Sequence, residues 1–198
     1  MARPDLTGVL LVGGASTRFG SPKALARLDG ESLAERAWWI LGEACGKRIA
    51  VGKHEDSLPL PFPVLDDGSS TRAALAGLVA GLRAAPTEVC VVLPVDTPLV
   101  TPELLLELAD ACADTAVPQT GPLPGAYAKR ALPVLERRLA AGSLAVCDAL
   151  SELETSEIQG DPALLANVNT PEELYELERR TASASSSRSA PPRARPTR

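Results

Sequence analysis

The sequence predicts a three-layer α/β domain: one mostly parallel sheet, doubly wound, with helices on both faces. Three observations predict it. Segments with strand character alternate with segments of helical periodicity along residues 1–180. Strand candidates such as Val89-Cys90-Val91-Val92-Leu93 are apolar throughout, which a sheet covered on both faces requires. Leu75, Leu78, Val79 and Leu82 recur at the spacing of one buried helix face. Gly77 and Gly81 lie four apart in the same segment, which suits close packing of that helix on a sheet.

In chain order, strands are expected at Thr7–Val12, Arg48–Val51, Pro63–Leu65, Glu88–Leu93, Thr115–Val117, Gly125–Lys129 and Glu154–Gln159. Helices are expected at Ser32–Ala44, Ser70–Ala84, Pro102–Ala113, Ala131–Ala140, Leu144–Leu150 and Pro171–Arg180. Thr101 is a good cap for the third of these, with Pro102 at its first position. Thr170 and Glu173 form a capping box for the last, and Pro171 fits its first turn. From Thr181 the composition turns to Ser, Pro and Arg without apolar periodicity, so residues 181–198 are expected to be a disordered tail.

A chain of 198 residues fits one domain, residues 1–180, plus that tail. Aromatic content of 3% means that the core is built from Leu, Val and Ala. The net charge of −5 argues against a nucleic-acid partner, and without the arginines of the tail the body is more acidic still. Cys45, Cys90, Cys112 and Cys147 are far apart in sequence with no C-x-x-C pair, which excludes the common zinc patterns and points to reduced, buried thiols in the cytoplasm. His54 is the only histidine, which argues against a histidine-based triad or a histidine-rich metal site. No apolar leader precedes the first strand, and no run approaches the roughly 18 apolar residues of a membrane span.

The chemistry is concentrated after the first strand, in Leu11-Val12-Gly13-Gly14-Ala15-Ser16-Thr17-Arg18-Phe19-Gly20-Ser21-Pro22-Lys23. Two glycines let the backbone turn and approach a ligand closely. Main-chain N–H groups, hydroxyls, Arg18 and Lys23 then suit a polyphosphate, with amides around the oxygens and cations to neutralise them. A P-loop needs four residues between its glycines and a Lys directly after the second. Here five residues separate Gly14 from Gly20, and Lys23 follows three later. The dinucleotide fingerprint fails as well, since neither Ala15 nor Ser16 is glycine.

Ligands of open α/β sheets bind beyond the carboxyl ends of the strands. The strand ending at Leu93 runs into Pro94-Val95-Asp96-Thr97-Pro98, so the Asp96 carboxylate can face a triphosphate held by the glycine loop. Mg²⁺ between carboxylate and phosphates is the expected device, because Mg²⁺ takes one or two carboxylates plus phosphate oxygens and water. Asp66-Asp67-Gly68 ends another strand; either aspartate suits base, ribose or metal, and an Asp-Gly turn alone reads the same. Asn167 and Asn169 precede the last helix, where their amides suit holding a loop or binding metal and phosphate.

The pattern G-G-x-S-x-R-x-G-x-x-K from Gly13 to Lys23, the Val95-Asp96-Thr97-Pro98 loop and Asn167-Val168-Asn169-Thr170-Pro171 together resemble molybdenum cofactor guanylyltransferases, over roughly Leu6 to Leu177. The resemblance implies the Rossmann-like nucleotidyltransferase fold. It implies transfer of GMP from GTP to the phosphate of molybdopterin, with Mg²⁺ as cofactor and molybdoenzymes or cofactor-insertion proteins as partners. Carried over by position, it implies that Leu11, Val12, Gly13, Gly14, Lys23 and Asp67 contact the nucleotide. Arg18 and Lys23 would be phosphate cations, Asp96 would hold metal and GTP, and Asn167 and Asn169 would lie on the acceptor side. Two positions depart from the family. Gly52, followed by Lys53, stands where an Asn is usual, and Ala73-Ala74-Leu75-Ala76-Gly77 replaces Gly-Pro-Leu-Ala-Gly. Related transferases of another base or acceptor (cytidylyl, phospholactate or sugar-phosphate), and a nucleotide-binding partner protein without turnover, therefore remain alternative readings.

Overall fold

The computed structural model describes residues 2–13, 19–20 and 22–188, with backbone alone for 182–188. Strand β1 (Arg3–Leu11) is followed by a hairpin of β2 (Arg27–Leu28) and β3 (Glu31–Ser32), then α1 (Leu33–Ala44), β4 (Cys45–Gly52), β5 (Val64–Asp66), α2 (Ala74–Ala84) and β6 (Val89–Pro94). The second half holds α3 (Pro102–Ala111), β7 (Thr115–Pro118), β8 (Gly125–Ala128), α4 (Leu132–Ala140), α5 (Val146–Leu150), β9 (Thr155–Ile158) and α6 (Pro171–Arg188). The main sheet has the order β5-β4-β1-β6-β8-β7-β9. Strand β8 runs antiparallel to both neighbours, and the other pairings are parallel. This is the doubly wound, mostly parallel α/β sheet that the sequence predicts.

The chain begins mid-sheet, builds outward through β4 and β5, then returns to place β6 on the other side of β1. The winding therefore reverses between β1 and β6, and a crevice opens beyond their carboxyl ends. The register brings the strand ends level: Leu11 is opposite both Val51 and Pro94, and Gly52 is opposite Asp66. Side chains alternate between two cores along each central strand. Leu6, Leu10, Val91 and Leu93 pack with α1 and α3, while Val9, Leu11, Cys90 and Val92 pack with α2, α4 and α5.

Helix starts follow local chemistry. Ser32 and Glu35 form a capping box on α1, and Thr101 Oγ1 accepts the Leu104 N–H at 3.4 Å on α3. Helix α2 starts at Ala74 rather than Ser70. Before it, Asp67 Oδ1 accepts the Ser69 N–H and Ser69 Oγ accepts the Thr71 N–H, which holds these residues in turns instead of a helix. The β2–β3 hairpin is absent from the periodicity because its strands have two residues each. Its turn is nonetheless an Asp-Gly pair, with Asp29 at φ 53° and Gly30 at φ 85°. Helix α6 continues to Arg188, beyond the expected end at Arg180, so the start of the expected tail is helical; residues 189–198 lie outside the described residues.

Gly81 confirms the close helix–sheet approach. A Cβ there would stand 2.4 Å from Val9 Cγ1 on β1, a stiff β-branched side chain in the core. Gly81→Ala is expected to lower stability by about 1–3 kcal/mol through overpacking, measured by urea unfolding. The four cysteines are free thiols. Cys45 and Cys90 are buried, and burial pushes each thiol up to about 12, so neither reacts at neutral pH; Cys112 is half-buried and Cys147 is exposed. Among the described residues no helix is long and apolar enough to cross a membrane.

Candidate active site

A cavity of about 460 Å³ lies over the reversal of the sheet. Leu11 and Gly13 from the end of β1 form its floor with Val51, Gly52 and Pro94. The volume is of the size that binds cofactors and nucleotides. The Val12 N–H donates to Val51 O at 3.0 Å, so β1 still follows β4 as it enters the glycine loop. The Val12 side chain turns into the core. It also accounts for Gly52, because a Cβ at 52 would stand 2.8 Å from Val12 Cγ2 and 3.3 Å from Val64 Cγ1.

One end of the cavity is built from three separate parts of the chain. Asp96 follows β6, where Thr97 Oγ1 donates to Pro94 O and the Val95 N–H donates to Leu11 O. Lys23 opens a 3₁₀ turn, Lys23–Leu25. Its Nζ lies 3.3 Å from Asp96 Oδ2 and 3.1 Å from Asn169 Oδ1. The buried Val168 explains the Asn-Val-Asn spacing: its N–H donates to Asp96 O at 2.8 Å and its side chain enters the core. The flanking asparagines thereby take different tasks, Asn167 in the cavity wall and Asn169 on Lys23. The capping box expected before α6 is modified. Thr170 Oγ1 accepts the Glu173 N–H, but the Glu173 carboxylate accepts the Asn169 N–H at 2.5 Å and so braces the lysine's partner.

At the other end of the cavity the two aspartates separate. Asp66 accepts the His54 N–H at 2.6 Å and the Gly68 N–H at 2.7 Å. These main-chain bonds, the first from His54, hold its carboxyl below the usual range and make it a turn residue. Asp67 lines the cavity, and its Oδ1 lies 2.6 Å from Lys53 Nζ. The mouth is edged by Arg72, whose guanidinium spans Asp56 and Glu55. The far wall is the β7–β8 connection, Thr120 to Leu123, pinned by the buried Tyr127 hydroxyl donating to Pro122 O at 2.6 Å.

Of the residues singled out in the sequence, Leu11, Gly13, Asp67, Asp96 and Asn167 meet at the cavity, with Lys23 and Asn169 joined to Asp96 at its edge. Gly14 and Arg18 lie outside the described residues. Sequence reasoning noted Lys53 beside Gly52 without giving it a role, and passed over Arg72 and residues 120–123. Lys53 carries a signal, a lysine directly after an apolar strand; residues 120–123 carry none beyond turn composition. Among the described residues no group of three or more His, Cys, Asp or Glu side chains is placed to hold a metal ion. Asp96 is a lone carboxylate already facing a cation, the Lys23 ammonium, which fits an ion completed by substrate phosphates and water.

The class of protein defined by a carboxylate and a lysine at the switch point of such a sheet is the nucleotidyltransferases. The chain belongs to the MobA-like NTP transferase family, whose model matches residues 8–156. It is 33% identical over 190 residues to a probable molybdenum cofactor guanylyltransferase of Chloroflexus aggregans, covering 85% of this chain and 91% of that protein. A probable molybdenum cofactor guanylyltransferase of Bacillus subtilis is 31% identical, covering 87% of this chain and 94% of that one. Among solved structures, molybdopterin-guanine dinucleotide biosynthesis protein A of Archaeoglobus fulgidus superposes with a TM-score of 0.77 at 25% identity, covering 89% of this chain and 99% of that chain. The 2-C-methyl-D-erythritol 4-phosphate cytidylyltransferase of Thermus thermophilus shares the fold, with a TM-score of 0.68 at 18% identity over 88% of this chain and 98% of that chain.

Proposed function

We propose that this nucleotidyltransferase transfers GMP from GTP to the terminal phosphate of molybdopterin or its molybdenum form, releasing pyrophosphate. The observation that carries the reading is Lys23 held between Asp96 and Asn169 at the cavity edge. It unites the three sequence segments of the guanylyltransferase resemblance, and the relatives' names support the base and the acceptor.

The reaction is an in-line displacement. An oxygen of the acceptor phosphate forms a bond to the α-phosphorus of GTP, the bond from that phosphorus to the β-phosphate oxygen breaks, and pyrophosphate departs with the electron pair. A phosphate monoester is already anionic near neutral pH, so no strong general base is required, consistent with a site without histidine. Catalysis then rests on positioning and on charge stabilisation. Leu11, Val12, Gly13 and Gly14 contact the nucleotide, and Asp67 contacts it at the far end of the cavity. Lys23 and Arg18 offset charge on the departing pyrophosphate. A Mg²⁺ ion held by Asp96 and phosphate oxygens supplies Lewis-acid neutralisation when bound. Asn167 and Asn169 orient the acceptor. The catalytic domain is residues 1–180 and ends within α6. The free thiols support a reducing, cytoplasmic setting, where molybdoenzymes or cofactor-insertion proteins would receive the product.

The test is pyrophosphate release by the full chain with molybdopterin and GTP, run beside CTP and ATP. Release with GTP, exceeding that with the other two, is the expected result. No release with GTP overturns the reading, and preferential release with CTP reassigns the enzyme to the cytidylyl branch.

A further inference from the structure

Lys53 and Asp67 form a buried ion pair inside a ligand cavity. Their side chains are only 7% and 6% exposed, yet both line the cavity. Their juxtaposition follows from strand register. Gly52 is opposite Asp66 at the ends of β4 and β5, and one residue further Lys53 stands beside Asp67, where the Asp67 N–H donates to Gly52 O at 3.0 Å. The Lys53 ammonium donates to Asp67 Oδ1 and to Ser69 O. Asp67 Oδ1 also accepts the Ser69 N–H at 2.8 Å. Taking two charges out of water is costly, and such a pair contributes little net stability compared with apolar packing. Its place in the cavity wall points to a ligand instead.

The sheet supplies a ruler for which part of a nucleotide reaches it. Asp96 follows β6 and Asp67 follows β5, three strand intervals apart in the order β5-β4-β1-β6. At the usual strand spacing that is about 14 Å. A nucleotide whose phosphates lie at Asp96 and Lys23 has its ribose midway, over β1, and its base at the Lys53–Asp67 end. A lysine ammonium has three donors and no acceptor, so one N–H remains beyond the bonds to Asp67 and Ser69. Both bonds to the Asp67 carboxylate from described residues fall on Oδ1, which leaves Oδ2 as an acceptor.

We propose that Lys53, paired with Asp67, reads the base and selects a 6-oxopurine. This deepens the guanylyltransferase reading and rests on its nucleotide site. The third Lys53 N–H donates to O6, and Asp67 Oδ2 accepts from N1–H. In adenine held by the same phosphates, an amino group faces the ammonium and a lone pair faces the carboxylate, so both contacts become repulsive. Position 53 is thus the first after β4 whose side chain can reach the base. Val12 and Val64 leave position 52 no space for a side chain.

The experiment is calorimetric binding of GTP, ITP and ATP to the full chain, the Lys53→Met variant and the Lys53→Met/Asp67→Asn double variant, with folding checked by thermal melts. ITP keeps O6 and N1–H and lacks only the 2-amino group. The wild-type chain is expected to bind GTP and ITP in preference to ATP. Lys53→Met is expected to weaken GTP and ITP about 10- to 100-fold, the scale of one charge-assisted hydrogen bond, and not to weaken ATP. The double variant orphans no charge, so it remains informative if Lys53→Met fails to fold; it is expected to bind GTP and ATP within a few-fold of each other. An unchanged GTP-to-ATP ratio in a folded variant, or equal losses for both, overturns the proposal. A wild-type chain that binds ATP as tightly as GTP, or binds no triphosphate, overturns it as well. Normal base preference without turnover of molybdopterin instead overturns the acceptor reading alone.

Discussion

Asp96→Asn is expected to reduce metal-dependent pyrophosphate release by roughly a thousandfold while the protein stays folded. Among the described residues, Asp96 is the acidic side chain that lines the cavity at the end of β6. In the proposed reaction it would hold the metal ion that neutralises the phosphates. The structural duties of residue 96 are carried elsewhere. Its main-chain oxygen accepts the Val168 N–H, a bond that asparagine keeps. Its carboxylate accepts from the Lys23 ammonium at 3.3 Å, a bond that an asparagine side-chain oxygen can still accept. Turnover with molybdopterin and GTP in the presence of Mg²⁺, beside a thermal melt, separates the two roles. Activity near that of the wild type would remove Asp96 from metal binding.

Lys23→Ala is expected to weaken GTP binding roughly 10- to 100-fold, the scale of losing one charge-assisted hydrogen bond to phosphate. The reason lies in convergence. Lys23 Nζ meets a carboxylate from the end of β6 and an amide oxygen from the segment before α6, so the cation is held in place before any triphosphate arrives. Preorganisation of this kind removes the ordering cost of a long side chain at the moment of binding. Titration of GTP into wild type and variant at fixed salt measures the loss. An affinity unchanged by the substitution would take Lys23 out of the phosphate site and leave the glycine turn without its described cation.

Much of the site was legible because sheet ends are predictable. An apolar run that stops at Val12 or Leu93 puts the next polar residues at the carboxyl edge, so Lys23 and Asp96 could be assigned to one crevice before their distance was known. The Asn-Val-Asn segment was legible as unusual, but its logic was not. Val168 has to reach the core and bond Asp96 before the two asparagines acquire separate tasks. Asp66 and Asp67 were indistinguishable as neighbours in a chain. Their hydrogen bonds divide them, one closing a turn on His54 and Gly68 and the other facing the cavity. The start of α2 was misjudged because Ser69 and its neighbours satisfy one another in turns, a local competition that apolar periodicity does not register.

By itself the sequence determined the class of fold, the order of the main-sheet strands and their helices, and the two loops that meet at the cavity. Those depend on side-chain period and on residues close together in the chain. Only the tertiary structure decided that Lys53 stands against Asp67, that Val12 closes position 52 to a side chain, and that residues 120–123 form the far wall. These depend on the register of parallel strands joined by long crossovers, and on a hairpin folded back antiparallel beside β6. The period of a strand states which face a residue takes; it does not state which residue of another strand will lie opposite.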